Sequence, residues 1–399
     1  MKLTKLEGNQ YYDLKLEFDY DKKIVEQCQI LGQKLTWKKF KYSYEEKYWM
    51  CCVADLLIIL EQFHKAKMNV EVEKGIEDDF NLTQAEKKKE ETHLEKIKNT
   101  SIEIDLPLYD YQKKGVNFLD HVDNPLLWDE VRLGKLYQTL GLIHYKELQG
   151  NPYGMILVIC PNRTKINWAR KSLELINRPA NIIENRVHKR HINIINFERL
   201  QKFADKVNTV NGKGRRVIEY QLTELFEKIE WDLVVIDEAH KIKAGKKSIR
   251  GELVLQICKR AKKVIQLTAT PMPKGPKDLV AQLKAAKALD KLFNGEWNFL
   301  QRYCGAYKTR FGWKFDKATN TEELRDLLKK ISLKRTQSEV WKDMPAVRED
   351  IVYLDMIDPE IYKALEMQFS DEMNEADEYF KSIYKTLAGK NKEQRAEII

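Results

Sequence analysis

The sequence predicts an α/β fold in which helices cover both faces of a parallel sheet. Short apolar runs, such as those ending at Asp237 and Leu267, are typical of parallel strands buried on both faces. Longer amphipathic stretches, for example 137–149 and 168–176, have the spacing of helices that pack on such a sheet. Right-handed crossovers would bring the carboxyl ends of the strands to one edge.

The 399 residues are enough for two or three domains. We predict a small accessory module of α+β type at 1–70 and a charged helical linker at 71–104. The α/β lobe would occupy 105–345, with an inserted helical segment at about 285–335. A charged stretch rich in Glu, Lys, Met and Tyr at 346–399 predicts a helical extension.

Within the N-terminal module, residues 37–49 alternate aromatic side chains with lysines, which is the pattern of a candidate hairpin. Such a hairpin could stack on bases while its lysines bind phosphates. The same aromatic residues could equally pack the module's own core. Both interpretations stay open at the level of sequence.

A candidate phosphate loop follows the apolar pair Leu126-Leu127. A complete loop needs glycines for close backbone approach, a lysine for the phosphate oxygens and a Ser or Thr hydroxyl for magnesium. Gly134 and Lys135 are present, but Arg132 occupies the place of the first glycine and Leu136 that of the hydroxyl. A Gly-Lys pair before a helix is a weak signal by itself, so its value depends on the motifs that follow it.

The strongest motif is an acidic pair at the end of the apolar run 233–236. Asp237 and Glu238 offer one carboxylate for magnesium and a second for a water molecule, as hydrolysis of a nucleoside triphosphate requires. An acidic pair also occurs simply as the polar mouth of a parallel sheet. The next apolar run, 264–267, leads into Thr268-Ala269-Thr270, so acids and hydroxyls are expected at neighbouring strand ends.

These motifs, in this order, resemble the Swi/Snf-type branch of the superfamily-two helicases, whose members are DNA-stimulated ATPases that translocate on duplex DNA. The likeness extends from about residue 106 to about 350, and the N-terminal module faintly resembles the HARP-type module of some annealing members. It implies a RecA-like lobe of P-loop NTPase type that uses ATP and Mg²⁺. Further blocks that carry the resemblance are 108–119, 156–161, 166–168, 192–198, 299–304 and 333–340.

The resemblance implies a role for each matching position. Asp237 would hold magnesium, Glu238 would activate the attacking water, and His240 of this DEAH box would couple nucleotide state to DNA together with Thr268, Ala269 and Thr270. The nucleotide-binding positions would be Gln112, which reads the base, and Arg132, Gly134, Lys135 and Leu136 of the degenerate Walker A loop. The DNA-binding positions would be Pro161, Asn162, Arg163, Asn196, Lys241 and Lys243.

Two departures from the family pattern bear on hydrolysis. An arginine is strained at position 132 if the loop needs a positive φ there, and Leu136 cannot ligate magnesium. We therefore expect weak or lost turnover. The resemblance also implies a second RecA-like lobe, on another chain or in a longer parent, and the blocks of that lobe do not follow residue 350.

The charge balance agrees with a nucleic-acid partner, either duplex or branched DNA. Lysine and arginine number 70 against 61 acids, a formal charge of +9, so binding is expected from local patches such as the five basic residues in 241–250. The basic loop expected at 208–216 is more simply a solvated turn. Six cysteines show neither zinc spacing nor a disulfide pattern. No apolar run is long enough for a membrane span, and we expect a cytoplasmic protein, or a nuclear one in a eukaryote.

Two functions from different classes fit the sequence. In the first, the chain is the ATP-binding lobe of a DNA-dependent ATPase. In the second, it is a non-hydrolysing DNA-binding or scaffold protein with a degenerate nucleotide site. The intact acidic box favours the first, whereas Arg132 and Leu136 allow the second.

Overall fold

The computed structural model describes residues 1–6, 14–35, 40–44, 46–210, 216–310 and 312–341. The predicted helical extension at 346–399 lies outside these residues, as do positions 36–39 and 45 of the candidate aromatic hairpin. No helix within the described part of the chain is long and apolar enough to cross a membrane.

The N-terminal module is a five-stranded sheet with two helices. Its strands follow the order β3-β4-β2-β1-β5, and alternate residues such as Leu14 and Leu16 are buried because successive side chains of a strand point to opposite faces. Phe40 is buried and its ring stacks 5.1 Å from that of Trp49, so these aromatics of the candidate hairpin pack the module's own core. The elements are β1 (Lys2–Lys5), β2 (Leu14–Glu17), α1 (Lys22–Lys34), β3 (Phe40–Ser43), β4 (Tyr48–Cys51), α2 (Leu56–Lys65) and β5 (Glu71–Val72).

Helix α3 (Ile76–Asn99) forms the linker. Because β5 pairs with β1, the module's sheet reaches Val72, two residues beyond the predicted boundary at 70. At the other end of α3, Asn117 donates a hydrogen bond to the carbonyl of Ile97, at 2.7 Å. Ile97 itself is buried in the core of the lobe, so this end of the linker is docked on the lobe.

The lobe is built on a seven-stranded sheet in the order β16-β6-β13-β12-β7-β9-β8. Every strand pair in it is parallel, and the central strands are buried on both faces by two separate apolar cores. The predicted parallel α/β fold is confirmed. Its first elements are α4 (Asp110–His121), β6 (Leu126–Leu127), α5 (Lys135–Leu148), β7 (Ile156–Cys160), α6 (Lys165–Ile176), β8 (Ala180–Ile182), β9 (Ile192–Asn196), α7 (Phe197–Leu200), β10 (Ala204–Val210), β11 (Arg216–Leu222), α8 (Glu224–Glu227), β12 (Leu233–Asp237), α9 (Ile249–Arg260) and β13 (Lys263–Leu267).

Two predictions about the lobe need correction. The loop expected at 208–216 is too long at both ends, since 208–210 belong to β10 and Arg216 to β11, which pair antiparallel, while 211–215 lie outside the described residues. The segment at 285–335 is not wholly helical, because it contains a hairpin and ends in β16, which joins the main sheet beside β6. The remaining elements are α10 (Leu279–Ala285), α11 (Leu289–Phe293), α12 (Glu296–Tyr303), β14 (Tyr307–Thr309), β15 (Gly312–Lys314), α13 (Thr321–Lys329), β16 (Ser332–Leu333) and α14 (Gln337–Val340), with short 3₁₀ turns at Val53–Asp55, Asn162–Thr164, Gln201–Phe203, Ala239–Ile242, Gly245–Lys247 and Pro276–Asp278.

Candidate nucleotide site

The sheet brings three sequence motifs to one edge. Strand β13 lies between β6 and β12 and is parallel to both, so the phosphate loop, the acidic pair and the Thr268 turn all emerge from carboxyl ends of neighbouring strands. Ligands of open parallel sheets bind at this edge. The expectation that the acidic pair and the Thr268 turn follow adjacent strands is confirmed.

Lys135 is the first residue of α5, directly after the loop. Its ammonium donates hydrogen bonds to the carbonyls of Asp129 (2.7 Å) and Glu130 (3.1 Å). Burial lowers the pKa of Lys135, while the carboxylates of Asp129, Glu238 and Asp237 act to raise it. The loop lysine and the acidic pair follow β6 and β12, which flank β13, so they lie at the same edge of the sheet.

Two residues in the loop adopt positive φ. Gly134 has φ of 72°, and a Cβ on it would lie only 2.4 Å from Nε2 of Gln112, so glycine is needed there for both backbone and space. Arg132 has φ of 67°, a region that L-residues with side chains rarely adopt. The backbone strain that we expected at position 132 if the loop had a positive φ there is therefore present.

Replacing Arg132 with glycine is expected to stabilise the fold. The left-handed conformation costs a residue with a Cβ about 1–2 kcal/mol, and the greater freedom of glycine in the unfolded chain offsets about 0.5–1 kcal/mol of the gain. We expect a net increase of about 0.5–1 kcal/mol in the free energy of unfolding, measured by urea denaturation. Arg132→Ala retains the Cβ and serves as the control; an equal gain in that variant would show that backbone strain is not the cause.

Leu136 occupies the position at which the loop would offer a hydroxyl. Its side chain is partly buried and packs against the core beneath the loop. A leucine at this position contributes no oxygen to a cation, so the donors for magnesium have to come from elsewhere in the site.

Asp237 is held by two side chains from the segment after β7. The indole N–H of Trp168 and the hydroxyl of Thr164 both donate to Oδ2, at 3.0 and 3.3 Å. Among the described residues Oδ1 has no hydrogen-bond partner, which leaves it available to a cation. Burial raises the pKa of Asp237, and Glu238 raises it further, so a divalent cation would relieve the cost of holding this charge. The donor set fits a magnesium site of one protein carboxylate and waters.

The acidic pair and the Thr268 turn are in direct contact. Nδ1 of His240 lies 2.9 Å from the hydroxyl of Thr268, 3.4 Å from that of Thr270 and 3.3 Å from Oε2 of Glu238. Burial lowers the pKa of His240 below its ordinary value of 6.5, while Glu238 acts to raise it. Glu238 has φ of 57°, and a strained backbone of this kind is common at functional sites. Ala269 lies in the turn between the two threonines and is half-buried.

Gln112, the expected base-reading residue, is buried and engaged with the protein. Its side-chain oxygen accepts a hydrogen bond from the backbone N–H of Tyr109 at 3.1 Å, while its NH₂ group lies 3.3 Å from both the carbonyl of Leu133 and the hydroxyl of Tyr111. In this arrangement Gln112 connects the start of α4 to the phosphate loop.

A buried ion pair, which the sequence analysis missed, holds the loop from the other side. Asp129 is fully buried and binds the guanidinium of Arg335, whose Nε lies 3.0 Å from Oδ1. The same guanidinium donates to Gln138 at 2.8 Å and lies over the ring of Tyr111 at 5.2 Å. Arg335 follows β16, so only the pairing of β16 with β6 brings it to the loop. The available signal was a lone acid inside the loop and an arginine 206 residues away.

The residues predicted to contact DNA are placed unevenly. Pro161 is buried, which removes its ring from any DNA surface, whereas Asn162 and Arg163 are exposed. Asn196 donates to Glu198 at 3.0 Å. In the block 166–168, which the resemblance aligns with a DNA-contacting motif, Trp168 is fully buried against Asp237, whereas Ile166 and Asn167 are exposed. Two lysines complete the set: Lys241 is half-buried over the ring of Phe197, and Lys243 is exposed.

The chain is similar to known proteins over part of its length. The Caenorhabditis elegans homolog of SWI/SNF-related matrix-associated actin-dependent regulator of chromatin subfamily A-like protein 1 is 28% identical over 254 residues, which is 62% of this chain and 34% of that protein. Human DNA annealing helicase and endonuclease ZRANB3 is 29% identical over 259 residues, 62% of this chain and 22% of that protein. The match thus spans about a third of the first relative and less than a quarter of the second.

One solved structure that the chain resembles is the Sulfolobus solfataricus SWI2/SNF2 ATPase core in complex with dsDNA. The match covers 60% of this chain and 46% of the Sulfolobus chain, with 22% sequence identity and a TM-score of 0.44. The family model of the SNF2-related domain matches residues 111–397, more than half of the chain. The resemblance predicted from the motifs is confirmed, and the chain belongs to the SNF2-related domain family.

Proposed function

We propose that this chain is the ATP-binding lobe of a DNA-dependent ATPase of helicase-like type. The observation that carries the proposal is the convergence of Lys135, Asp237 and Glu238 on one sheet edge, with His240 joining that edge to Thr268. A lysine, a metal-binding carboxylate and a second acid are the groups that recur where a γ-phosphoryl group is transferred to water.

In this proposal each residue has a defined task. Lys135 exchanges its two backbone carbonyl partners for phosphate oxygens, and Oδ1 of Asp237 holds Mg²⁺ while Trp168 and Thr164 fix the carboxylate through its other oxygen. Magnesium, when bound, neutralises charge on the phosphates. Glu238 orients the water and accepts its proton. The contact between His240 and Thr268 transmits the state of this site to the loop that follows β13.

We also propose that this lobe alone turns over slowly, and that a second RecA-like lobe and DNA raise its rate. Phosphoryl transfer in related motors uses an arginine from outside the first lobe, whose loss typically costs about 10³–10⁵ in rate. DNA would contact the exposed residues near the carboxyl edge, among them Asn162, Arg163 and Lys243. The related proteins are described by name as chromatin regulators and as an annealing helicase, which supports a DNA partner.

The proposal is tested with a fluorescent ATP analogue in the presence of Mg²⁺, followed by phosphate release with and without duplex DNA. We expect Mg²⁺-dependent binding that falls in Lys135→Ala, and slow release that DNA increases. Binding without release, in the presence and absence of DNA, would support nucleotide binding but not hydrolysis by this chain alone. If the analogue does not bind at all, the proposed function is wrong.

Replacing Leu136 with threonine is expected to raise the rate of phosphate release. The hydroxyl restores a ligand for Mg²⁺ at the end of the loop, and other donors to the cation in this site come from Asp237 and water. Leu136→Val is the control, because it shortens the side chain to the same size without adding an oxygen. A rate in Leu136→Thr no higher than that of the parent and of Leu136→Val would show that the missing hydroxyl does not limit turnover.

The second candidate is a non-hydrolysing DNA-binding or scaffold protein. Two observations favour it: the strained backbone at Arg132 and the leucine packed where the hydroxyl would stand. It predicts DNA binding that ATP does not change. The first candidate predicts DNA-stimulated release, so the same assay distinguishes the two.

A further inference from the structure

An exposed group of aromatic rings lies on the hairpin β14–β15 and the adjacent helix α12. Trp297 of α12 is 43% exposed and Trp313 of β15 is 46% exposed. We call these two residues the aromatic surface. The other tryptophans that the structure describes are buried or half-buried, so the exposure of this pair is unusual within the chain.

The tryptophan rings are fixed even though they face outward. The rings of Trp297 and Trp313 pack edge to face, with centroids 5.1 Å apart and planes at 84°. Phe315 packs 5.9 Å from Trp297 and also against the core of the α10–α13 region, which anchors the pair. Rings held in place lose little conformational freedom when a ligand stacks on them.

Two lysines lie beside the aromatic surface. Across the hairpin, Lys308 pairs with Trp313 and lies on the same face, and Lys277 lies over Phe315 at 5.6 Å. Tyr307 pairs with Lys314 on the opposite face, because successive residues of a strand point to opposite faces. The acid on the same hairpin, Asp316, accepts a hydrogen bond from the hydroxyl of Tyr307. The neighbourhood is therefore aromatic at its centre and positively charged around it.

The surface is connected to the candidate site but separate from it. The segment that follows Thr270 leads to the 3₁₀ turn Pro276–Asp278, and this turn carries Lys277 to the aromatic residues. The nucleotide-site side chains named above are not part of it.

We infer that the aromatic surface binds single-stranded nucleic acid. Unpaired bases would stack on Trp297 and Trp313 while the lysines meet the phosphates, a combination that binds single strands with little sequence preference. Paired bases inside a duplex have their faces covered and cannot stack on these rings. A protein partner fits less well, because the centres of protein interfaces are depleted in lysine.

The test uses a fluorescein-labelled deoxythymidine oligomer of about 20 nucleotides, longer than the site of a single binding domain, and a blunt duplex of equal length, both without nucleotide. We expect Trp313→Ala to weaken binding of the oligomer about tenfold or more, since stacking on one base is worth about 1–3 kcal/mol. Trp313→Phe should keep most of the affinity, and duplex binding should change little. Tyr20→Ala, which removes an aromatic ring that is 85% exposed in the N-terminal module, is the matched control and should bind as the parent does.

A second variant examines the charge without disturbing the rings. Lys308→Glu should weaken oligomer binding and reduce the slope of log K against log salt. The inference is wrong if Trp313→Ala, with a circular dichroism spectrum equal to that of the parent, binds the oligomer as tightly as the parent. It is equally wrong if Trp313→Ala weakens binding of the duplex and of the single strand by the same factor. That result would indicate a general electrostatic surface or a surface built for another partner. Because no nucleotide is present, these outcomes do not depend on the proposed ATPase.

Discussion

Replacing Glu238 with glutamine is expected to abolish DNA-stimulated phosphate release while leaving binding of the ATP analogue close to that of the parent. Glutamine has the same shape and keeps the side-chain oxygen, but it cannot accept a proton from water at neutral pH. General-base contributions are typically about 10²–10⁴ in rate. Hydrogen bonds from Trp168 and Thr164 hold the carboxylate of Asp237. The proposed magnesium ligand therefore stays in place in the Glu238→Gln variant.

Phosphate release measured under single-turnover conditions separates this effect from slow product release. Glu224→Gln removes an exposed carboxylate paired with Lys228 on the surface, and it should release phosphate as the parent does. General bases typically contribute a factor of at least about 10² to the rate. If Glu238→Gln retained a tenth or more of the parental rate, Glu238 would therefore not be the general base.

Removing the guanidinium of Arg335 should produce the largest loss of stability among the changes considered. Asp129 has no exposed surface, so Arg335→Ala leaves a buried carboxylate without its ion-pair partner and with one remaining hydrogen bond, from the NH₂ group of Gln138 at 2.9 Å. Breaking a buried ion pair from one side costs about 3–5 kcal/mol. We expect a decrease of this size in the free energy of unfolding measured in urea.

The loop should also lose nucleotide affinity in the same variant. Glu130 donates its backbone N–H to the carbonyl of Arg335 at 2.9 Å, and Gln337 donates to Glu130 and to the carbonyl of Val131, so the segment after β16 supports the loop backbone on both sides of Glu130. Lys228→Ala, which breaks an exposed pair, should change stability by less than about 1 kcal/mol. A loss in Arg335→Ala no larger than in Lys228→Ala would contradict the proposed support of the loop.

Several features could be predicted because they depend on local pattern. Apolar runs such as 233–236 are buried on both faces of the sheet, and the order of motifs along the chain placed acids and hydroxyls at neighbouring strand ends. Helix α5 begins directly after Gly134, as the Gly-Lys pair of a phosphate loop predicts. The roles of Glu238, Lys135 and the coupling residues stay predictions, which the assays above address.

Other features depend on contacts between distant segments. Trp168 follows the asparagine of a sequence block that resembles a DNA-contacting motif, yet its indole is buried against Asp237 because β7 pairs with β12. The ends of the loop expected at 208–216 belong to strands β10 and β11, because their pairing satisfies backbone groups that sequence composition alone assigned to solvent.

The sequence by itself determined the parallel α/β lobe, the family and the order of its motifs, because burial periodicity and strand-end chemistry are local properties of the chain. Only the tertiary structure decided which partner holds each charge. Asp129 meets Arg335 across 206 residues, Asp237 meets Trp168 across 69, and Trp297 meets Trp313 on an outward face. The physical reason is that burying a charge requires a paired partner, and sheet order, which no local pattern specifies, determines which residue becomes that partner.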